Sequence, residues 1–161
     1  MDGGCDLKEL AEALRDLHRR LAERLRRDHE QECHAVLSAA EFLPVLMSDA
    51  RFAWLHLLSE LIVDAEVFLK ADPSPTQDDC AALRAELERL ITAPGFPESA
   101  STFTRRYLQY VAEDAQVAAA HASVERLAQN LPQAGRVDEA GVLHERHGWT
   151  EAHRHRRPAG R

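Results

Sequence analysis

Two histidine–glutamate pairs are the residues of this sequence best suited to chemistry. His56 precedes Glu60 by four residues, and His121 precedes Glu125 by the same interval. Residues four apart share one face of an α-helix, so each pair offers an imidazole and a carboxylate to one metal ion. Two such pairs facing each other would complete a four-ligand site, and we take these residues as the candidate metal ligands. The alternative is that all four are polar positions on partly exposed helix faces. Bundles that hold two carboxylate-bridged metals use Glu-x-x-His spacing instead, which favours this alternative.

The other histidines of the sequence are weaker candidates for metal ligands. His29 and His34 lie five residues apart, whereas a zinc-protease motif needs two histidines four apart. His29 and Cys33 share a helix face and could take up an adventitious metal, although a polar helix end explains them better. Four histidines near the C-terminus could chelate metal weakly and incidentally: His144, His147, His153 and His155.

Motifs of the common enzyme classes are missing from the sequence. It contains no nucleophile elbow, no glycine-rich phosphate loop and no dinucleotide-binding fingerprint. We therefore predict a protein without catalytic activity and without a cofactor. An enzyme of unrecognised type, or a regulatory subunit of one, remains an alternative.

Size and composition indicate one folded, helix-rich domain. The chain has 161 residues, of which 45% are apolar and 29% charged, with only 7 Gly and 7 Pro. Its 27 acidic and 20 basic side chains give a formal charge of -7, which repels a phosphate backbone and argues against nucleic-acid binding. Three cysteines without a Cys-x-x-Cys pair argue against a disulfide framework and favour a reducing compartment.

Neither a signal peptide nor a membrane span is indicated. The N-terminal stretch MDGGCDLKEL lacks the apolar region of a signal peptide. The most apolar run, 52–69, is interrupted by His56, Glu60, Asp64 and Glu66. We therefore expect a cytoplasmic protein that does not enter a membrane.

Leucine periodicity defines the first helix. Apolar residues alternate steps of three and four and so form one helical stripe: Leu7, Leu10, Leu14, Leu17, Leu21 and Leu25. Asp6 is the predicted N-cap, and we expect fraying after Asp28, where the period stops. The stretch Ser38-Ala-Ala-Glu41 has capping-box spacing and predicts a short helix that ends near Met47, with Pro44 as a kink or early stop.

The next helix is predicted to be the central one. Ser48-Asp49 supplies an N-cap for a helix that runs to about Lys70. Its apolar residues fall on two opposite faces, which predicts neighbours on both sides: Trp54, Leu58, Leu61, Ala65 and Phe68 on one, and Phe52, Val63 and Val67 on the other. Trp54, Phe52 and Phe68 are predicted core residues.

Two further helices complete the predicted body. Thr76 starts one with five inward residues: Cys80, Leu83, Leu87, Leu90 and Ile91. Ser99 or Ser101 starts the next, which carries Phe103 and Tyr107, and Glu113-Asp114 marks the junction to a last helix that ends before Leu131-Pro132.

Short connections between amphipathic helices predict an all-α, antiparallel helical bundle of four main helices plus short ones. We assign residues 1–131 to this domain, and residues 132–161 to a short helix at about 138–147 followed by a loose tail rich in His and Arg.

An offset of 65 residues aligns the sequence with itself. The offset superimposes Asp49-Ala50 on Asp114-Ala115, His56 on His121 and Glu60 on Glu125. Two related halves would follow, each with a helix, a short helix, an aspartate junction and a longer helix. Amphipathic helices also align by chance, so the alternative is coincidence.

The sequence resembles a group of small uncharacterised bacterial proteins. The resemblance rests on the stretch 41–63 (EFLPVLMSDARFAWLHLLSELIV), on Arg105-Arg-Tyr-Leu108 and on Val117-Ala-Ala-Ala-His121, and it covers roughly 7–131. Members often have Asp-Pro where this chain has Asp49-Ala50 and Asp114-Ala115. The group has no assigned activity, so the resemblance implies no function.

We expect the bundle to act through its surface, as a protein–protein interaction or oligomerisation module that binds a protein partner or a second copy of itself. The alternative function is a bundle that binds a metal or a small ligand through His56, Glu60, His121 and Glu125.

Overall fold

A computed structural model describes residues 3–71, 74–92 and 102–133, with side chains from Leu7 onward. These residues form six α-helices and one 3-10 helix, and no strand occurs among them. The helices are α1 (Gly3–Cys33), α2 (Ala39–Ser48), the 3-10 helix (Ala50–Leu55), α3 (His56–Leu69), α4 (Gln77–Ile91), α5 (Thr102–Glu113) and α6 (Ala115–Ala128). The predicted all-α class is confirmed.

The leucine stripe of α1 is buried along its whole length. All six predicted leucines are at most 2% exposed. The predicted start of the helix is wrong. The helix begins at Gly3, so Asp6 lies inside it and is not its N-cap, and it continues past Asp28 to Cys33. An ion pair of 2.9 Å between Arg24 and Asp28 supports the last turns, and His34 ends the helix in the left-handed region with φ of 52°.

Helix α3 packs antiparallel to α1. In the first half of α1, Arg15 Nε lies 2.8 Å from Glu66 Oε1 near the end of α3. Near the end of α1, Glu32 pairs at 2.8 Å with Arg51 of the 3-10 helix that precedes α3. The order of these contacts along α1 is therefore the reverse of their order along the 3-10 helix and α3.

Helix α6 is antiparallel to α1 on another side. Arg27, in the last turns of α1, lies 2.8 Å from Asp114, the N-cap of α6. At the far end of α6, Arg84 of α4 donates hydrogen bonds to the carbonyl oxygens of Gln129 at 3.2 Å and Leu131 at 2.7 Å. These bonds satisfy carbonyls that the end of a helix leaves without partners.

The predicted capping box at the start of α2 is confirmed. The Ser38 N–H donates to Glu41 Oε2 at 2.8 Å, and the Glu41 N–H donates to Ser38 Oγ at 3.2 Å. Pro44 does not shorten the helix, which continues to Ser48, one residue beyond the predicted end.

The predicted helix from Asp49 to Lys70 is in fact two elements. Asp49 caps the 3-10 helix, and α3 follows from His56. Three residues between 52 and 55 are buried: Phe52, Trp54 and Leu55. The tighter winding of a 3-10 helix aligns residues three apart, which places Phe52 and Leu55 on one face.

The prediction that α3 is buried on two opposite faces is wrong, because Val63 is 57% exposed. The other predicted face is buried: Trp54, Leu58, Leu61, Ala65 and Phe68. Phe52, on the opposite side of the predicted wheel, is also buried, so the three aromatic core predictions hold.

Helices α4 and α5 pack as the sequence predicts where they are described. Thr76 caps α4, and the five predicted inward residues of α4 are buried. The Thr104 hydroxyl of α5 donates to the carbonyl of Leu90 at 3.0 Å, which ties the two helices together. Ser99, Ser101, the predicted helix at 138–147 and the C-terminal histidines lie outside the described residues.

Candidate functional site

The first predicted ligand pair lies at the start of α3. His56 is half-buried, and its Nε2 is buried with no hydrogen-bond partner in the described part of the chain. Glu60, one turn later, is exposed. Burial and the nearby His56 imidazole lower the pKa of His18 on α1, whose Nε2 lies 2.9 Å from Ser59 Oγ. His56 therefore belongs to a partly buried pair of imidazoles between α1 and α3.

The second pair belongs to a hydrogen-bonded chain with a tyrosine. His121 Nε2 lies 3.3 Å from Glu125 Oε1, and His121 Nδ1 lies 2.7 Å from the hydroxyl of Tyr107. A carboxylate only accepts hydrogen bonds, so a neutral His121 carries its proton on Nε2 and Tyr107 donates to Nδ1. Burial, with a smaller contribution from Glu125, raises the pKa of Tyr107 and keeps the hydroxyl protonated.

The described residues contain no group of three or more His, Cys, Asp or Glu side chains arranged to hold a metal ion. The four-ligand set therefore remains a prediction from spacing. His29 and Cys33 do meet, with 3.5 Å between Nε2 and Sγ, as their shared helix face predicts.

A cleft that sequence reasoning missed lies beside the C-terminal turns of α1. Its volume is about 120 Å³, and it lies between α1, the 3-10 helix and α5. Asp28 and Glu32 of α1 line the cleft, Asp28 partly buried and Glu32 exposed. The signal in the sequence is their spacing, because Asp28 and Glu32 follow Leu25 at steps of three and four residues.

Most charges of the cleft are paired. Asp28 accepts a hydrogen bond from Arg24 Nε at 2.9 Å, and Glu32 accepts one from Arg51 Nη1 at 2.8 Å. Arg106 of α5 is exposed at the cleft and makes no ion pair or hydrogen bond with the described residues. Among the described residues, it is therefore the arginine of the cleft that has no ion-pair partner.

Aromatic rings form one wall of the cleft. The rings of Trp54 and Tyr110 stack with centroids 5.8 Å apart and planes 8° from parallel, and the Arg24 guanidinium lies 5.4 Å from the centre of the Tyr110 ring. Neither the indole N–H of Trp54 nor the hydroxyl of Tyr110 has a hydrogen-bond partner within the described ranges. Burial raises the pKa of Tyr110, so its hydroxyl stays neutral and able to donate.

The outward face of α2 is a second feature of the surface. Val36 in the preceding loop is 93% exposed, and Leu43 and Met47 on α2 are 55% and 63% exposed. Ala39 and Ala40 are exposed on the same helical stripe. We call these five residues the α2 seam.

No family model, curated protein or solved structure matches this chain. The resemblance to the bacterial group therefore remains a prediction. None of the described helices combines the length and apolar character needed to cross a lipid bilayer.

Proposed function

We propose that this protein is an oligomerisation module, without chemistry of its own, that pairs with a second copy of itself through the α2 seam. The observation that carries the proposal is the exposure of Val36, Leu43 and Met47. They are three of the five large apolar residues exposed in the described ranges, and they lie within twelve positions of one another. Clustered exposed apolar side chains are typical of interaction surfaces, whereas scattered ones are not.

The charge pattern supports a second copy as the partner. The chain carries a formal charge of -7, so two copies repel each other over most of their surfaces. The segment 34–48 contains only one residue among Asp, Glu, Lys and Arg, namely Glu41. Two acidic chains approach at the lowest electrostatic cost where this sparsely charged segment of one meets that of the other.

The shape of the seam also suits self-pairing. Small residues, Ala39 and Ala40, occupy its start, and Met47 occupies its end. In an antiparallel pair related by a twofold axis, the alanines of one copy lie opposite Met47 of the other, so the same patch serves both sides. A ten-residue helix is only about 15 Å long, well short of a standard interface, so we expect a weak dimer that forms at high concentration.

Sedimentation velocity across a wide concentration range tests the proposal. We expect the wild-type protein to pass from monomer to dimer as its concentration rises, and Leu43→Arg to remain monomeric because it places a cation in the seam. Val63→Arg is the matched control, since Val63 on α3 has almost the same exposure, 57%, and lies outside the seam. Both variants should melt close to the wild type because both side chains are already exposed.

Two outcomes would contradict the proposal. One is a wild-type protein that stays monomeric up to millimolar concentration. The other is a dimer that Val63→Arg disrupts as strongly as Leu43→Arg, because the contact would then not depend on the α2 seam.

A further inference from the structure

We propose that the cleft between α1, the 3-10 helix and α5 binds a small organic anion, a carboxylate attached to a flat apolar body. The carboxylate pairs with Arg106, and the apolar body lies against the aromatic wall of Trp54 and Tyr110. This site is separate from the α2 seam, and the inference does not depend on the proposed dimer.

The charge of Arg106 sets the sign of the ligand. The two carboxylates of the cleft each accept a hydrogen bond from an arginine, Asp28 from Arg24 and Glu32 from Arg51, and both arginines also pair with carboxylates outside the cleft. Arg106 has no such partner among the described residues, so it is the group that gains most from an incoming anion. A guanidinium binds a carboxylate with two parallel hydrogen bonds, which is stronger and more directional than a contact between neutral groups.

Further donors strengthen the preference for an acceptor ligand. The indole N–H of Trp54 donates only, and it has no partner within the described ranges. The Tyr110 hydroxyl, which burial keeps protonated, is likewise without a partner there. Polar groups that line a cleft without internal partners are available to a ligand at no cost in existing hydrogen bonds.

The aromatic wall and the volume of the cleft limit the shape and size of the rest of the ligand. Because Trp54 and Tyr110 stack on each other and Arg24 lies over the Tyr110 ring, the wall offers mainly ring edges, against which the face of an aromatic group packs favourably. The cleft holds about 120 Å³, close to the roughly 150 Å³ of an apolar cavity that accepts benzene. An aromatic or planar aliphatic monocarboxylate fits these limits, and a nucleotide does not.

Benzoate is the probe for the test, and NMR of the full chain follows the indole N–H signals. Trp149→Phe identifies the signal of Trp54, because the chain has only two tryptophans. We expect benzoate to shift the Trp54 signal in a saturable way. Arg106→Gln should weaken binding about tenfold or more, as the loss of a charge-assisted contact implies. The neighbouring Arg105→Gln is the matched control, because Arg105 is exposed but does not line the cleft, and it should bind benzoate like the wild type.

Benzamide and acetate separate the two parts of the proposal. Benzamide keeps the ring and loses the charge, and acetate keeps the charge and loses the ring, so we expect both to bind more weakly than benzoate. Absence of a saturable shift with benzoate, equal binding of benzamide, or equal effects of Arg105→Gln and Arg106→Gln would each overturn the anion site. Equal affinity for acetate would overturn the role of the wall. Leu43→Arg, which breaks the proposed dimer, should leave benzoate binding unchanged.

Discussion

Asp49 and Asp114 hold the same position in two different helix junctions. The backbone N–H of each donates to the carbonyl four residues earlier, Val45 and Tyr110 respectively, and both distances are 2.9 Å. One carboxylate oxygen of each accepts the N–H two residues later, that of Arg51 or Gln116, again at 2.9 Å in both. Each aspartate thus ends one helix and starts the next. The likeness of these junctions agrees with the 65-residue offset, while duplication of the whole unit remains a prediction.

Two substitutions of Asp114 should separate its contribution as a helix cap from the contribution of its ion pairs. Burial opposes the ionised form of Asp114, but hydrogen bonds from the N–H groups of Val117 and Gln116, together with Arg27 and Arg24, lower its pKa. Asp114→Ala removes the cap and the ion pairs, and we expect it to lower the free energy of unfolding by about 1–2 kcal/mol. Asp114→Asn keeps a capping oxygen and should cost less. Urea unfolding measures both values, and equal losses would show that the cap contributes nothing.

The Tyr107 hydroxyl should matter for stability, and that of Tyr110 should not. Tyr107→Phe removes the hydroxyl that donates to Nδ1 of His121, and we expect the free energy of unfolding to fall by about 1–3 kcal/mol. Tyr110→Phe removes a hydroxyl that has no partner in the described residues, and the change should stay within about 0.5 kcal/mol. Thermal unfolding of the two variants makes the comparison, and a larger loss from Tyr110→Phe would contradict it.

Stability should fall as the solution becomes acidic, in part because of His18. Burial and the imidazole of His56 hold the pKa of His18 below its ordinary value of about 6.5 in the folded state. The unfolded chain therefore binds the proton more readily, so this contribution is complete above about pH 6.5 and is lost as the pH falls through the lowered folded pKa.

His18→Gln should consequently reduce the difference in urea midpoint between neutral and mildly acidic solution. His34→Gln is the control, because His34 is exposed in the loop after α1 and should leave that difference unchanged. If His18→Gln has the same acid sensitivity as the wild type, other groups must account for it.

Truncation of a buried leucine should cost far more than truncation of an exposed one. Leu17 is fully buried on α1, and Leu17→Ala should lower the free energy of unfolding by about 2–5 kcal/mol through lost contacts and the cavity left behind. Leu57 on α3 is exposed, and Leu57→Ala should have a small effect. Chemical denaturation measures both free energies of unfolding, and similar losses at the two positions would contradict the burial pattern.

The sequence predicts the helices well where local chemistry determines them. The capping boxes at Ser38 and Thr76 and the aspartate junctions bring their own hydrogen-bond partners within three residues, so spacing alone finds them. The 3-10 helix was not predicted, because Phe52 and Leu55 turn inward only to meet neighbours that are distant in the sequence. Val63 was misplaced for a related reason, since helical periodicity cannot tell which apolar face receives a neighbour.

The cleft was missed because the apolar period of α1 stops before Asp28, and periodicity carries no information on the helix beyond that point. The helix continues to Cys33, and Asp28 and Glu32 pair there with Arg24 and Arg51. Glu32 and Arg51 are far apart in the sequence, and only the packing of α1 against the 3-10 helix brings them together. Pairing across helices is set by tertiary structure and leaves little trace in local spacing.

The pairing of α1 with α6 has a consequence for how the chain folds. The contacts that join them, Arg20 to Gln116 and Arg27 to Asp114, span 96 and 87 residues. Closing so long a loop is entropically costly, so folding should be slower than in bundles whose contacts are mainly local. During synthesis the leucines of α1 emerge before α6 and stay partly uncovered until α6 follows. We therefore expect chains halted before α6 to depend on chaperones.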